Sequence, residues 1–156
     1  MKHVLSALME NQPGVLRRIA GLFGRRGYNI DSIVASVTED ERLTRMTIVV
    51  DCDEKMIEQV RKQVAKLDEI VEVVNVTNIP TIKKQLLMMK IEANIDNRIE
   101  TITLAKEFGA RVIDISAEYL VIEATDEDAV ISSIIETFSP YGIIELVKTG
   151  TVAMIK

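Results

Sequence analysis

The sequence predicts an α+β protein of two tandem ferredoxin-like (βαββαβ) domains, residues 1–78 and 79–156, each an antiparallel sheet with its helices on one face. Three observations lead there. Isoleucine and valine supply 38 of the 156 residues, against six aromatics, and side chains branched at Cβ suit a pleated surface. Short apolar runs alternate with stretches of helical apolar spacing, punctuated by Gly, Pro, Asn and Asp. The order strand, helix, strand, strand, helix, strand is read twice, once on each side of Asn78-Ile79-Pro80-Thr81.

Each element has a local reason. Residues 3–9 are an apolar run stopped by Asn11, Pro13 and Gly14, hence a strand and then a loop. Val15, Leu16, Ile19, Leu22 and Phe23 recur at helical spacing, Arg25 and Arg26 suit the negative end of that helix, and Gly27 suits its exit. Residues 29–37 and 44–51 read as strands around the turn Glu39-Asp40-Glu41. Asp53 and Glu54 suit the start of a helix with Ile57, Val60, Val64 and Leu67 inward, and residues 70–77 read as the fourth strand. After the linker the plan repeats: strand 86–93, helix 98–108, strands 111–116 and 119–124. A helix capped by Asp126 follows, with Val130, Ile131, Ile134 and Ile135 inward, ended by Pro140 and Gly142. Residues 143–148 form the last strand, and 152–155 extend the sheet edge. Pairs such as Ile33-Val34 and Val73-Val74 make the strands apolar on both faces, where a sheet with one wet face alternates. A second sheet or subunit is expected on the bare face, and hence an oligomer.

Charge and composition narrow the function. The net charge is −5, and neither half is basic: residues 1–78 carry 11 basic and 12 acidic side chains, residues 79–156 carry 8 and 12. Phosphate neutralisation needs a basic excess, so nucleic acid is a poor partner. One cysteine, Cys52, excludes an internal disulfide, and one histidine, His3, excludes a His-rich metal site. No apolar stretch nears the ~20 residues that span a bilayer, and the run 4–9 is too short for a signal peptide. A cytoplasmic protein is expected. His3 and Cys52 form a nucleophilic pair only if the fold unites them; the plainer reading is a structural cysteine and a surface histidine. The acidic clusters Asp51/Asp53/Glu54 and Asp126/Glu127/Asp128 sit where helices begin, so dipole placement explains them before a cation does. The strand Arg45-Met46-Thr47-Ile48-Val49-Val50 lacks the stacking aromatics of RNA-binding relatives of this fold, and no Cys-x-x-Cys pair exists for copper. No catalytic residue and no metal site emerge.

The informative segment is Asn11-Gln12-Pro13-Gly14-Val15-Leu16. Gly14 beside Pro13 puts bare backbone at a helix N-terminus, where free N–H groups and the helix dipole can hold a small carboxylate. An ordinary strand-to-helix turn, with Asn11 bonding locally, fits the spacing too. Gly21-x-x-Gly24-x-x-Gly27 is not the dinucleotide fingerprint and reads as close packing and capping.

The opening Leu5-Ser6-Ala7-Leu8-Met9-Glu10-Asn11-x-x-Gly14-Val15-Leu16-x-Arg18-Ile19-x-x-Leu22-Phe23 resembles an ACT domain. More narrowly, Arg26-Gly27-Tyr28-Asn29-Ile30 followed by Arg45-Met46-Thr47-Ile48 is similar to the small regulatory subunits of acetohydroxyacid synthase (acetolactate synthase). The likeness covers the chain in length and order and is dense over residues 4–50. It implies a subunit without chemistry of its own, in branched-chain amino-acid biosynthesis. Such a subunit activates a separate large, catalytic subunit that condenses two pyruvates to 2-acetolactate and CO2, and confers feedback inhibition by valine. Thiamine diphosphate and magnesium, with FAD as an option, belong to that catalytic subunit. The resemblance further implies a homodimer through the ACT domains with the amino-acid effector between them. Asn11, Gly14, Val15 and Leu16 fall on the effector-holding positions of one subunit, Asn29 and Ile30 on those of its partner. Asn94-Ile95-Asp96-Asn97-Arg98 lacks the glycine, so the second half carries no effector site. Pro13 departs from the pattern and bears on effector preference. The chemistry agrees: loop N–H groups, two amides and the apolar Val15, Leu16 and Ile30 suit a neutral zwitterion. The alternative, a free-standing two-domain amino-acid sensor acting on transcription or metabolism, calls for a basic recognition helix, and only Arg17, Arg18, Arg25 and Arg26 approach one.

Overall fold

The computed structural model describes residues 1–25 and 27–156; Arg26, read from the sequence as a helix-end cation, lies outside the described residues. The elements are β1 (Lys2–Glu10), α1 (Val15–Arg25), β2 (Ile30–Val37), β3 (Leu43–Asp51), α2 (Glu54–Val64), β4 (Ile70–Asn75), β5 (Thr81–Glu92), α3 (Arg98–Glu107), β6 (Arg111–Ile115), β7 (Tyr119–Asp126), α4 (Asp128–Phe138), β8 (Ile143–Lys148) and β9 (Val152–Ile155), with a 3-10 turn at Ser139–Tyr141. This is the α+β plan of two ferredoxin-like units. By contacts the chain divides into Met1–Ile82 with Gly150–Lys156, and Lys83–Thr149. The division falls just past the 78/79 boundary read from the sequence, and the last seven residues group with the first unit. No helix among the described residues is long and apolar enough to cross a membrane.

The first unit is an antiparallel sheet in the order β2-β3-β1-β4. Register places Leu5 opposite Ile48 and Ala7 opposite Met46. Those residues form one core with Val15, Ile19 and Phe23 of α1 and Ile57, Val60 and Val64 of α2. The apolar residues at i, i+4 and i+8 of α1 therefore point at the sheet, as the helical spacing requires. The other face is apolar too: Val4 lies opposite Val49 and packs with Val76, Val74 and Ala153. Ala153 of the chain's own C-terminal segment packs on part of that face. A Cβ on Gly21 or Gly24 would meet nothing within 4 Å. The close packing read for those glycines is therefore absent among the described residues.

The second unit repeats the plan as β6-β7-β5-β8, with β9 also pairing β5. Leu87, Met89 and Ile91 pair with Ala124, Ile122 and Leu120, and this face packs on Ala105 of α3 and on Ile131, Ile134 and Phe138 of α4. Its other face carries charge: Arg111 pairs with Glu123 at 2.7 Å, and Lys90 lies 4.9 Å from the centre of the Tyr119 ring. β5 begins at Thr81, earlier than its apolar run suggests, because Thr81–Gln85 joins the ladder despite two lysines.

Candidate functional site

Backbone bonds anchor the β1–α1 loop before any side chain acts. The Glu10 amide donates to the Glu69 carbonyl at 2.8 Å, and the Asn11 amide to the Arg42 carbonyl at 2.7 Å. The Asn11 side chain then bridges to the β2–β3 hairpin. Its Nδ2 donates to the Glu41 carbonyl at 3.0 Å, and its Oδ1 accepts from Thr44 Oγ1 at 3.2 Å. Gln12 folds back, Nε2 donating to Glu10 Oε2 at 2.7 Å. The chain enters α1 through Gly14 at φ +90°, a conformation that side chains strain to adopt.

From Gly14 onward the geometry suits an anion. The first turn of α1 carries no acidic residue, so the dipole and the opening N–H groups are not neutralised from within the turn. Val15 is buried in the core, which leaves its backbone and not its side chain for a ligand. Leu16 is 49% exposed and presents apolar surface beside the loop.

Facing the loop is a hairpin that sequence reasoning treated only as a turn. Arg42 chelates Asp40, Nε to Oδ1 at 2.9 Å and Nη2 to Oδ2 at 2.7 Å. This guanidinium holds the Asp40 carboxyl down to about 2. A shallow cleft opens between Glu10, Asn11 and Gln12 on one side and residues 40–43 on the other. The Asp40-x-Arg42 spacing in an acidic turn is the only trace of this anchor in the sequence. On the far side of the loop Arg18, one of the four arginines that approach a recognition helix, pairs with Glu69 of the same unit.

Asn29 and Ile30 are not brought to this loop. Ile30 pairs with Val50, and Val50 with His3, while Glu10 pairs with Leu43. The two groups therefore sit at opposite ends of the sheet, seven β1 residues or ~24 Å apart at ~3.4 Å per residue. Ile30 is half-buried against the core. Asn29 is exposed, and its amide makes no hydrogen bond among the described residues.

Other candidates resolve into structure. His3 is 1% exposed, not at the surface as the sequence suggested. It sits within the sheet end, with Nδ1 3.5 Å from Thr77 Oγ1 and 3.8 Å from Glu54 Oε2. Burial pushes the Cys52 thiol up, away from the thiolate a nucleophile needs. Asp51 binds the N-terminal ammonium at 2.7 Å, and Asp53 Oδ1 caps α2 by accepting from the Met56 amide at 2.8 Å. Asp126 pairs with Lys84 at 2.6 Å, and Glu127, not Asp126, occupies the cap position of α4. Among the described residues no group of three His, Cys, Asp or Glu side chains could hold a metal.

In the second unit the corresponding loop closes on itself. Asn94 Oδ1 accepts from the Asp96 and Asn97 amides at 2.9 and 3.3 Å. Arg98 Nη2 donates to the carbonyls of Ala93, Ser116 and Ala117 at 3.2, 2.6 and 2.8 Å. An arginine thus holds loop to hairpin where the first unit uses Asn11.

Comparison with known proteins agrees over both units. A family model described as the AHAS small subunit-like ACT domain matches residues 5–72, and one described as the small subunit of acetolactate synthase matches residues 84–156. The chain is 43% identical over 156 residues to the Archaeoglobus fulgidus protein named "Probable acetolactate synthase small subunit", covering 100% of this chain and 98% of that one. It is 40% identical over 152 residues to the acetolactate synthase small subunit of Mycobacterium leprae, covering 97% and 90%. The crystal structure of the acetolactate synthase small subunit from Thermotoga maritima matches with a TM-score of 0.91 at 34% identity, covering 100% and 98%.

Proposed function

The chain belongs to the acetolactate synthase small-subunit family, and from that premise we propose that it is a regulatory subunit that activates a thiamine-diphosphate-dependent catalytic subunit and makes it inhibitable by valine. The observation that carries the effector half of this reading is the β1–α1 loop. It combines a backbone turned through Gly14 at φ +90°, a helix whose first turn carries no acidic residue, and an apolar side chain, Leu16, turned outward. A free amino acid asks for these: donors for its carboxylate, acceptors for its ammonium and apolar surface for its side chain. The N–H groups opening α1 hold the carboxylate, Asn29 bonds the polar head group, and Leu16 and Ile30 flank the side chain. Val15 contributes through its backbone alone.

The separation of Asn29 and Ile30 from the loop gives the reading its quaternary form. Hydrogen bonds reach about 3 Å, so one small ligand cannot touch both groups of one chain. Two copies, each offering its loop to the other's β2, supply a complete site. In this reading thiamine diphosphate, magnesium and any FAD reside in the catalytic subunit. The test pairs calorimetry of valine with the purified chain and an assay of the catalytic subunit with and without it. Saturable valine binding and a higher rate in the mixture are expected. No binding, with no change in rate, overturns the proposal.

A further inference from the structure

The C-terminal segment Gly150–Lys156 groups with the first unit, meets its sheet at two points and closes on the linker at a third. A Cβ built on Gly150 would stand 2.8 Å from Ser32 Cβ and 2.8 Å from Val34 Cγ2, both on β2. Ala153 packs on the cluster of Val4, Val49 and Val76. The Lys156 amide donates to the Pro80 carbonyl at 3.0 Å. Register shows what these points share: Ser32 pairs with Val49, and Val49 with Val4, while the Val76 amide donates to the Val4 carbonyl at 2.8 Å. The Gly150 and Ala153 contacts thus fall along one row running across the sheet from edge strand β2 to the β4 side.

We propose that residues 150–156 are a strap that sets the position of β2, and with it Asn29 and Ile30, so that the C-terminus tunes the effector response. This rests on the reading that those two residues contact the effector. The physical basis is steric. Real Cβ atoms essentially never come within 3.0 Å of a neighbour, so any residue but glycine at 150 displaces either the strap or β2. Within its own chain β2 is an edge strand, paired among the described residues with β3 alone. An edge strand paired on one side moves at lower cost than a central one.

The full-length chain tests this with two readouts. In hydrogen exchange without ligand, Gly150→Ala should speed exchange in β2 and in residues 150–156, leaving the β6–β7 hairpin unchanged. In valine titration of the reconstituted enzyme, the same variant should weaken inhibition by about 2- to 30-fold, the range of remote coupling effects. The background Ser32→Gly/Val34→Ala removes the atoms that clash, and Gly150→Ala should there change neither readout. That arm also separates a lost contact from general destabilisation. Unchanged exchange in Gly150→Ala, or faster exchange with unaltered valine inhibition, overturns the strap. If the wild-type enzyme ignores valine, the effector reading fails, and the exchange arm still decides whether the strap holds β2.

Discussion

At the scale of single residues, Asn29 is the most informative position. Its exposed amide bonds to nothing among the described residues, so Asn29→Ala should leave stability unchanged. If the amide bonds a charged group of the effector, its loss removes about 1.5–3 kcal/mol, and valine affinity falls roughly ten- to more than a hundredfold. Parallel thermal unfolding and calorimetry check this; lowered stability with unaltered affinity would return Asn29 to a purely local role. Asn11 differs, because both atoms of its amide already tie the loop to the hairpin. Its first duty is to shape the site. The residue types needed for an amino-acid ligand were legible in Asn11-x-x-Gly14-Val15-Leu16, since a glycine before an apolar helical repeat marks a backbone-lined turn. Which side chains stay free was not legible. Val15 turns into the core and Leu16 out of it because helix phase against the sheet decides, and His3 is buried beside Thr77 and Glu54, distant residues that only the fold brings to it.

At the scale of elements, the β2–β3 hairpin and the α2 cap carry predictions of their own. Arg42 holds Asp40 down from 3.8 to about 2, so the ionised carboxylate favours the folded hairpin above about pH 4. That preference is lost as the pH falls from about 4 to about 2. An NMR titration of the Asp40 carboxyl should show its midpoint near 2, with Arg42 Nε shifting alongside; a midpoint near 4 would mean the chelate does not persist in solution. Asp53 caps α2 through the Met56 amide, and Asp53→Ala should cost about 0.5–2 kcal/mol in denaturant unfolding. That cap was visible as an acidic residue ahead of a helical repeat, whereas the α4 cap was misplaced by one residue because three acidic side chains in a row are indistinguishable by type. The hairpin's grip on the loop was not visible. Apart from the Thr44 hydroxyl, it depends on backbone carbonyls at Glu41 and Arg42, which any residue would present.

At the scale of the whole molecule, two units of one plan differ in how they close the same loop. The first uses a glycine and an amide that leave a helix end accessible; the second fills the region with the Arg98 guanidinium. On the proposed reading each chain takes one effector, and calorimetry should give a stoichiometry near one valine per chain; near two would return the second unit to the list of sites. The repeat of element order was plain from hydrophobic periodicity. Val152–Ile155 extends a sheet edge as read, by pairing with β5; that Gly150 and Ala153 also reach the first sheet was not legible, because small residues in an edge strand do not reveal what they pack on. The central claim is an effector site completed between two copies, and trans-complementation tests it most directly. Gly14→Ala strains the loop of one copy, and Asn29→Ala removes the contact from the other. A heterodimer of the two variants keeps one intact site, with Gly14 from one chain and Asn29 from its partner. The measurement is the valine inhibition curve of the catalytic subunit reconstituted with each variant alone and with their equimolar, co-refolded mixture. Each variant alone should still activate but need roughly tenfold or more valine for inhibition, and the mixture should recover part of the wild-type inhibition. A mixture as insensitive as its two components would contradict a site shared between subunits.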